Sequence, residues 1–368
     1  MGVTIKDVAK RARVGVSTVS RAMNNKGYVS AEAMERIKQA VDELGYRPDP
    51  TARALIRRKV DMVALIVDCA LNETWVRVIT SLENELFAQK LISCVFILSE
   101  TGEEGRERYR AVLETVQEQR MSGIIFLGGD VHARDEVLYA GLLETDYPMV
   151  GIECYMPDSI VVASDQEGAG RIAARHLLRL GHQRIGFLRE QDEGAALGMQ
   201  TGWRKAMHQA GLPVEPWWEV QADLPTLPSA KEAMLPVLSR PDRPTAFLCY
   251  NDDMAMGLLS AAWQLGLRVP EDLSIVGHDN MPSAANLSPG LTTTNQPAEQ
   301  MAHLAMQELL ARMDGRECIA GKRLLGTELI VRGTTAPPFG VTVEPTDGQG
   351  SCCGKRGAQG TAGQAAPR

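Results

Sequence analysis

Ile5, Val8, Ala9 and Ala12 recur at the i, i+3, i+4, i+7 spacing of one buried helical stripe. Thr4 with Asp7 resembles a capping box at its start, with the shorter acid in place of Glu. A tight connection at Arg13-Val14-Gly15 predicts a second helix from Val16 to about Asn24, broken by Asn24-Asn25-Lys26-Gly27. Ser30 suits the cap of a third helix, and Val29 can staple onto Met34. Met34, Ile37, Val41 and Leu44 line the apolar face of that helix, and Gly45 fits its exit. Pro48-Asp49-Pro50 marks a linker. Residues 51–58 have helical composition, but a segment so short is unstable alone.

From Met62 onward the period changes. Apolar runs such as Met62–Val67, Ile92–Leu98, Gly123–Leu127, Arg184–Leu188, Thr245–Cys249 and Leu273–Gly277 alternate with amphipathic stretches. Repeated β-α-β predicts a doubly wound α/β domain, its parallel sheet covered on both faces. Its length exceeds one ordinary sheet domain and predicts two lobes. The chain therefore divides into a three-helix head (1–46), a hinge (47–59), a large α/β body (60–338) and a tail (339–368). The tail is rich in Gly, Ala, Gln and Pro and is expected to be disordered.

Charge separates the same parts. Residues 1–60 hold 13 Lys/Arg against 6 Asp/Glu, a net +7, while the remainder is net −14. A basic head on an acidic body suggests that only the head meets a polyanion; a basic face without a partner is the other reading. No stretch approaches the length of a membrane helix, and the first residues lack the apolar core of a signal peptide. Seven scattered cysteines argue against a disulfide framework. A cytoplasmic protein with no membrane partner is expected. His176 and His182, six apart near a helix end, suggest turn packing and no metal site. The chain has no Gly-x-Gly-x-x-Gly, no P-loop and no Gly-x-Ser-x-Gly, so neither an enzyme nor a cofactor is expected.

Particular strings carry more. They are Thr4-Ile5-Lys6-Asp7-Val8-Ala9, Val16-Ser17-Thr18-Val19-Ser20-Arg21, Gly45-Tyr46-Arg47-Pro48 and Ala52-Arg53-Ala54-Leu55 in the head and hinge. In the body they include Leu180-Gly181-His182-Gln183-Arg184-Ile185-Gly186, Asn251-Asp252-Asp253-Met254-Ala255-Met256-Gly257 and Val269-Pro270-Glu271-Asp272-Leu273-Ser274-Ile275-Val276-Gly277. Across roughly residues 3–337 the chain resembles the lactose/galactose repressor family. The resemblance implies a helix-turn-helix DNA-binding head, a hinge helix, and a two-lobed body like a periplasmic sugar-binding protein, crossed three times near residues 161, 290 and 325. It implies a transcription regulator, most readily a repressor. Such a regulator binds a palindromic double-stranded DNA operator as a homodimer under control of a small-molecule effector. A regulator that has lost effector sensing, and a sugar-binding receptor, remain as alternatives.

Residue by residue, Val16 and Ser17 match the family's base-reading positions at the start of the recognition helix. Val16 suits a thymine methyl and Ser17 several base edges, while Arg21, one turn on, can pair with guanine. Thr4, Thr18, Ser20 and Asn24 can bond phosphates. Leu55 matches the wedge that enters the minor groove and bends the duplex. Two positions depart from the family: Arg13 stands where Gly is usual in the turn, and Gly15 where Ser is usual, implying a strained or reshaped turn. For the effector, position points to Trp75, Ser164, Asp165, Met199, Asn251 and Asp279. Trp75 offers a stacking face, Asn251 a donor and an acceptor, and Asp279 an acceptor for hydroxyls; strand-end capping is the other reading of Asn251 and Asp279. Met199 stands where an arginine is usual on the pocket wall, and Ser164 replaces a common acid. Purine recognition in the family uses an Arg and an aromatic where this chain has Glu193 and Leu224, so a sugar or sugar derivative is the expected ligand.

Overall fold

The computed structural model describes residues 3–23, 28–46, 60–69, 71–98, 102–191 and 193–341, excluding the side chains of 193–196. Asn24, the hinge with Leu55, and the tail beyond residue 341 lie outside the described residues.

The head holds helices α1 (Ile5–Ala12), α2 (Val16–Met23) and α3 (Ala31–Leu44). Val8, Ala12, Val19, Ile37 and Ala40 form their shared core, with Ile5, Val14, Met34 and Leu44 packed around it. The Ser30 hydroxyl accepts from the Ala33 N–H at 3.3 Å, and Gly45, at φ 60°, closes α3 in the left-handed region that glycine tolerates best. Arg13 ends α1 at φ 54° and ψ 45°, its N–H turned back onto the carbonyls of Ala9 and Lys10. A residue with a Cβ thus occupies a left-handed turn, a conformation that costs about 1–2 kcal/mol.

The body alternates strands and helices: β1 (Val60–Val67), α4 (Glu73–Ala88), β2 (Ile92–Ile97), α5 (Gly102–Glu118), β3 (Met121–Leu127), α6 (Val131–Arg134), α7 (Glu136–Glu144), β4 (Met149–Ile152) and β5 (Ile160–Ser164). The second lobe follows with α8 (Gln166–Arg179), β6 (Ile185–Glu190), α9 (Glu193–Gln209), β7 (Glu219–Ala222), α10 (Leu227–Leu238), β8 (Ala246–Cys249), α11 (Asp252–Gln264), β9 (Ser274–Asp279), α12 (Pro282–Ala285) and β10 (Thr292–Asn295). Then α13 (Ala298–Met313) and β11 (Gly321–Leu325) return to the first lobe, and β12 (Leu329–Ile330) to the second.

Two six-stranded sheets result, ordered β11-β5-β4-β3-β1-β2 and β12-β10-β9-β8-β6-β7. The chain passes between them after Ser164, between Asn295 and Ala298, and between Leu325 and Leu329. Every pairing is parallel except β10 with β12. That two-residue edge strand arrives directly from β11, without the crossover helix that a parallel partner needs. Both faces of each sheet are covered, which is why the strands read as near-continuous apolar runs. Leu65, Val67, Leu82 and Met301 fill one side of the first lobe, and Ile66, Tyr109, Leu113 and Phe126 the other. Full burial of each such side chain contributes about 1.5–3 kcal/mol. In the second lobe α8 and α9 cross closely: a Cβ on Gly170 would meet the Met199 carbonyl oxygen at 2.0 Å, and one on Gly202 the Glu167 oxygen at 2.0 Å.

Candidate DNA-reading helix and interlobe cleft

α2 buries Val19 and Ala22 and turns Val16, Ser17 and Arg21 outward. Val16 is 42% exposed, unusual for a valine in so small a core, and leaves a methyl surface for a partner. Arg21 folds over its own helix, Nε 3.4 Å from Ser17 O and Nη2 3.5 Å from Thr18 Oγ1. Both contacts are long, so the guanidinium is available to a stronger acceptor. Thr18 and Ser20 are half-buried along the flank. Thr4 is engaged locally: its N–H and its hydroxyl both donate to the Asp7 carboxylate, at 2.9 and 2.7 Å. The Thr4 hydroxyl, then its N–H, holds the Asp7 carboxyl below the usual carboxylate range. The Gly15 carbonyl accepts from Thr18 and Val19 N–H at 2.9 and 3.1 Å, so α2 starts without a side-chain cap from that residue.

In the body the carboxyl ends of both sheets face one another, where ligands of open α/β sheets bind. Trp75 lies in the first turn of α4, half-buried against the first-lobe core. Asn72 caps that helix, its Oδ1 accepting from Thr74 and Trp75 N–H at 3.0 and 3.2 Å. The Asn72 amide Nδ2 reaches across the lobes to Asp279 Oδ2 at 3.1 Å. Two further contacts join the lobes here: Ser283 N–H donates to Glu73 Oε2 at 2.9 Å, and Arg77 Nη1 lies 3.5 Å from Asn280 O. Asp279 ends β9 at φ 118° and is 5% exposed. Burial, then the neighbouring Asp252 charge, pushes its carboxyl well above the ordinary value. Asp252 accepts from the Thr293 hydroxyl and Met281 N–H, and burial raises it to about 7.

The other candidates divide. Ser164 is 3% exposed and is turned to Glu153, its N–H donating to Glu153 Oε1 at 2.6 Å. Asp165 caps α8, accepting from Gly168 N–H at 2.8 Å. Asn251 caps α11: Oδ1 accepts from Met254 N–H at 2.8 Å and Nδ2 donates to Pro225 O at 3.1 Å. Both of its functions are thus occupied within the fold, the strand-end capping role. Met199 requires a correction. It has no exposed surface and packs with Phe187, Trp203 and Ala206 beneath α8 and α9, not on a cleft wall. The reason is helical phase: Met199 shares a stripe with Trp203 and Ala206, four and seven residues on, which face the sheet. Leu224 is 60% exposed.

Four residues at the cleft were not found by sequence reasoning: Asn72, Glu153, Tyr250 and Gln296. Gln296, in the second passage between lobes, donates from Nε2 to Glu153 Oε1 at 3.3 Å and from its N–H to Asp279 O at 3.4 Å. Tyr250 lies within electrostatic reach of Glu190, Asp279 and Glu153, and burial first, then those charges, raises its hydroxyl well above normal. A polar residue placed directly after an apolar strand, as Glu153 follows Met149–Ile152, was the available signal. His182 and His176 bond Thr245, Ser274, Ala336 and Thr335 within the second lobe. No helix among the described residues is long and apolar enough to cross a membrane.

Residues 4–49 match the family described as bacterial regulatory proteins, lacI family, and residues 174–335 match a periplasmic binding protein-like domain. Among curated proteins, the HTH-type transcriptional repressor PurR of Aliivibrio salmonicida is 33% identical over 316 residues, covering 84% of this chain and 92% of the relative. That of Photobacterium profundum is 32% identical over 335 residues, covering 89% and 97%. Among solved structures, a lac repressor dimer bound to operator and the anti-inducer ONPF superposes with a TM-score of 0.77 at 26% identity, covering 91% of this chain and 100% of the other. A complex of the transcriptional regulator CelR with cellobiose gives a TM-score of 0.66 at 27% identity, covering 90% and 99%.

Proposed function

The chain belongs to the LacI family of bacterial regulatory proteins, and from that premise we propose how its parts divide the work. It is a DNA-binding transcriptional repressor under small-molecule control, not an enzyme. Two copies place α2 in successive major grooves of a palindromic operator, as dimeric helix-turn-helix proteins do. Val16 meets a thymine methyl, Ser17 a base edge and Arg21 a guanine, while Thr18 and Ser20 hold the flanking phosphates. Leu55 is the minor-groove wedge. The effector occupies the cleft between the lobes, with Trp75 stacking on it and Asp279 accepting from it. A sugar or sugar derivative is the ligand class; the cellobiose held by the structurally similar CelR supports it. Operator binding places the protein where the chromosome is, in the cytoplasm.

One observation carries the DNA reading: Val16, Ser17 and Arg21 form an outward stripe on the helix that the head core leaves free. Selection of binding sites from random duplex DNA by the full-length protein tests it. A palindrome with half-sites about one helical turn apart is expected, bound less tightly as salt rises. Enrichment of no sequence, or of one unpaired half-site, would reject the dimeric operator reading. A thermal-shift panel of sugars tests the cleft, since a ligand at 100 times its Kd stabilises by about 2.7 kcal/mol.

A further inference from the structure

Resting on the cleft as the effector site, we propose that this chain's effector carries a protonated amine, an amino sugar being the form that also satisfies the cleft hydroxyls. Carboxylates from both lobes converge there. Asp279 comes from the end of β9 and Glu153 from the residue after β4; Gln296 bonds the Glu153 carboxylate through its side chain and the Asp279 backbone carbonyl through its N–H. Among the described residues no Arg or Lys bonds either carboxylate. Arg77 is committed to the Glu299 carboxylate at 2.9 Å and Arg134 to Asp68 at 2.5 Å, and Lys322 acts on Glu153 only from beyond bonding distance. Asp279 instead accepts from a neutral amide nitrogen, that of Asn72. An ammonium in that place makes a charge-assisted bond about twice as strong as a neutral one.

An anionic ligand finds little. The N-termini of α4, α8 and α11, which follow strands at the carboxyl ends of the sheets, are the backbone donors a phosphate or carboxylate would use. Each spends part of its first turn on its own cap: Asn72 takes the N–H groups of Thr74 and Trp75, Asp165 that of Gly168 and Asn251 that of Met254. Two hydroxyls remain open. Thr74 Oγ1 and Ser283 Oγ have no partner, and Thr74 is 1% exposed. Buried hydroxyls without partners next to carboxylates suit a ligand that brings several hydroxyls and one ammonium.

Binding of a cation beside carboxyls held up by burial draws them toward the charged form and releases protons near neutral pH. Isothermal titration of the full-length protein at pH 7, in buffers of low and high ionisation enthalpy, reads this directly. The probes are glucosamine, galactosamine and mannosamine, their parent hexoses, N-acetylglucosamine, glucose 6-phosphate and putrescine. One amino sugar is expected to bind at least about tenfold more tightly than its neutral counterparts, with net proton release. Glu153→Gln keeps an acceptor for the Ser164 N–H but loses the charge, and is expected to erase most of that preference. Equal binding of neutral and amino sugars without proton release overturns the charge proposal and leaves the sugar reading standing. Binding of putrescine alone keeps the cationic effector and removes the sugar. Preference for glucose 6-phosphate, or silence across the panel, overturns the proposal.

Discussion

Arg21→Ala is expected to leave folding nearly unchanged while relaxing sequence preference at one base pair per half-site. Among the described residues the guanidinium makes two long contacts, 3.4 Å to Ser17 O and 3.5 Å to Thr18 Oγ1. Bonds of that length on an exposed residue contribute little, and alanine is a good helix former, so stability should move by no more than about 0.5 kcal/mol. On DNA the same group reaches guanine O6 and N7, a pairing that discriminates by about 1–3 kcal/mol, or about 5- to 150-fold. Fluorescence anisotropy of the wild type and variant, on the selected operator and on each single base-pair change, measures it. The change that weakens the wild type most at the Arg21 step should no longer weaken the variant. A phosphate contact behaves differently: its loss lowers affinity uniformly and reduces the salt slope by about one. Uniform loss with a shallower salt slope would refute base reading by Arg21.

Arg13→Gly combined with Gly15→Ser is expected to stabilise the head by up to about 1–2 kcal/mol, by removing left-handed strain at φ 54° and supplying a cap. A Cβ at residue 15 meets only Ser17 Oγ at 3.6 Å and Thr18 Oγ1 at 3.9 Å, so a lower denaturation midpoint would contradict both assignments. Gly170→Ala forces a Cβ within 2.0 Å of the Met199 carbonyl and should destabilise the body by at least about 2 kcal/mol in urea; a neutral result means that α8 and α9 are not packed this closely. His182, held neutral by burial with its acid constant near 4, stabilises above the unfolded value of 6.5 and loses that contribution as pH falls toward 4. The gap in melting temperature between wild type and His182→Gln should therefore narrow from pH 7.5 to pH 5, and a constant gap rejects the titration of His182 as its cause.

The head was legible because its signals are local. Apolar spacing, the Ser30 cap and the Gly45 exit all act within one or two turns, and the helices form where they indicate. The alternation of buried runs with amphipathic stretches likewise indicated parallel β-α-β structure, and the length two lobes, as the two sheets show. The antiparallel β12 was not legible, since two residues carry no period. Nor was the pairing of Glu153 with Gln296, because 143 residues separate them and only the fold brings them together.

Met199 shows a different limit. Similarity to a family transfers a position along the chain, but on a helix the function of a position depends on its angle, and each residue turns the side chain by about 100°. Gln200, the next residue, is half-exposed and donates to Glu219, while Met199 lies wholly in the core with Trp203 stacked on Phe187 at 5.6 Å. An arginine at residue 199 would have to bury its charge in that apolar layer or displace the crossing of α8 and α9 at Gly170. A methionine there answers the packing of two helices whose backbones nearly touch. The polarity of the cleft is then set from other elements, by Asp279 and Glu153 at strand ends. That is why the character of the ligand follows from carboxylates that the sequence places far apart, and not from the substitution that the resemblance made conspicuous.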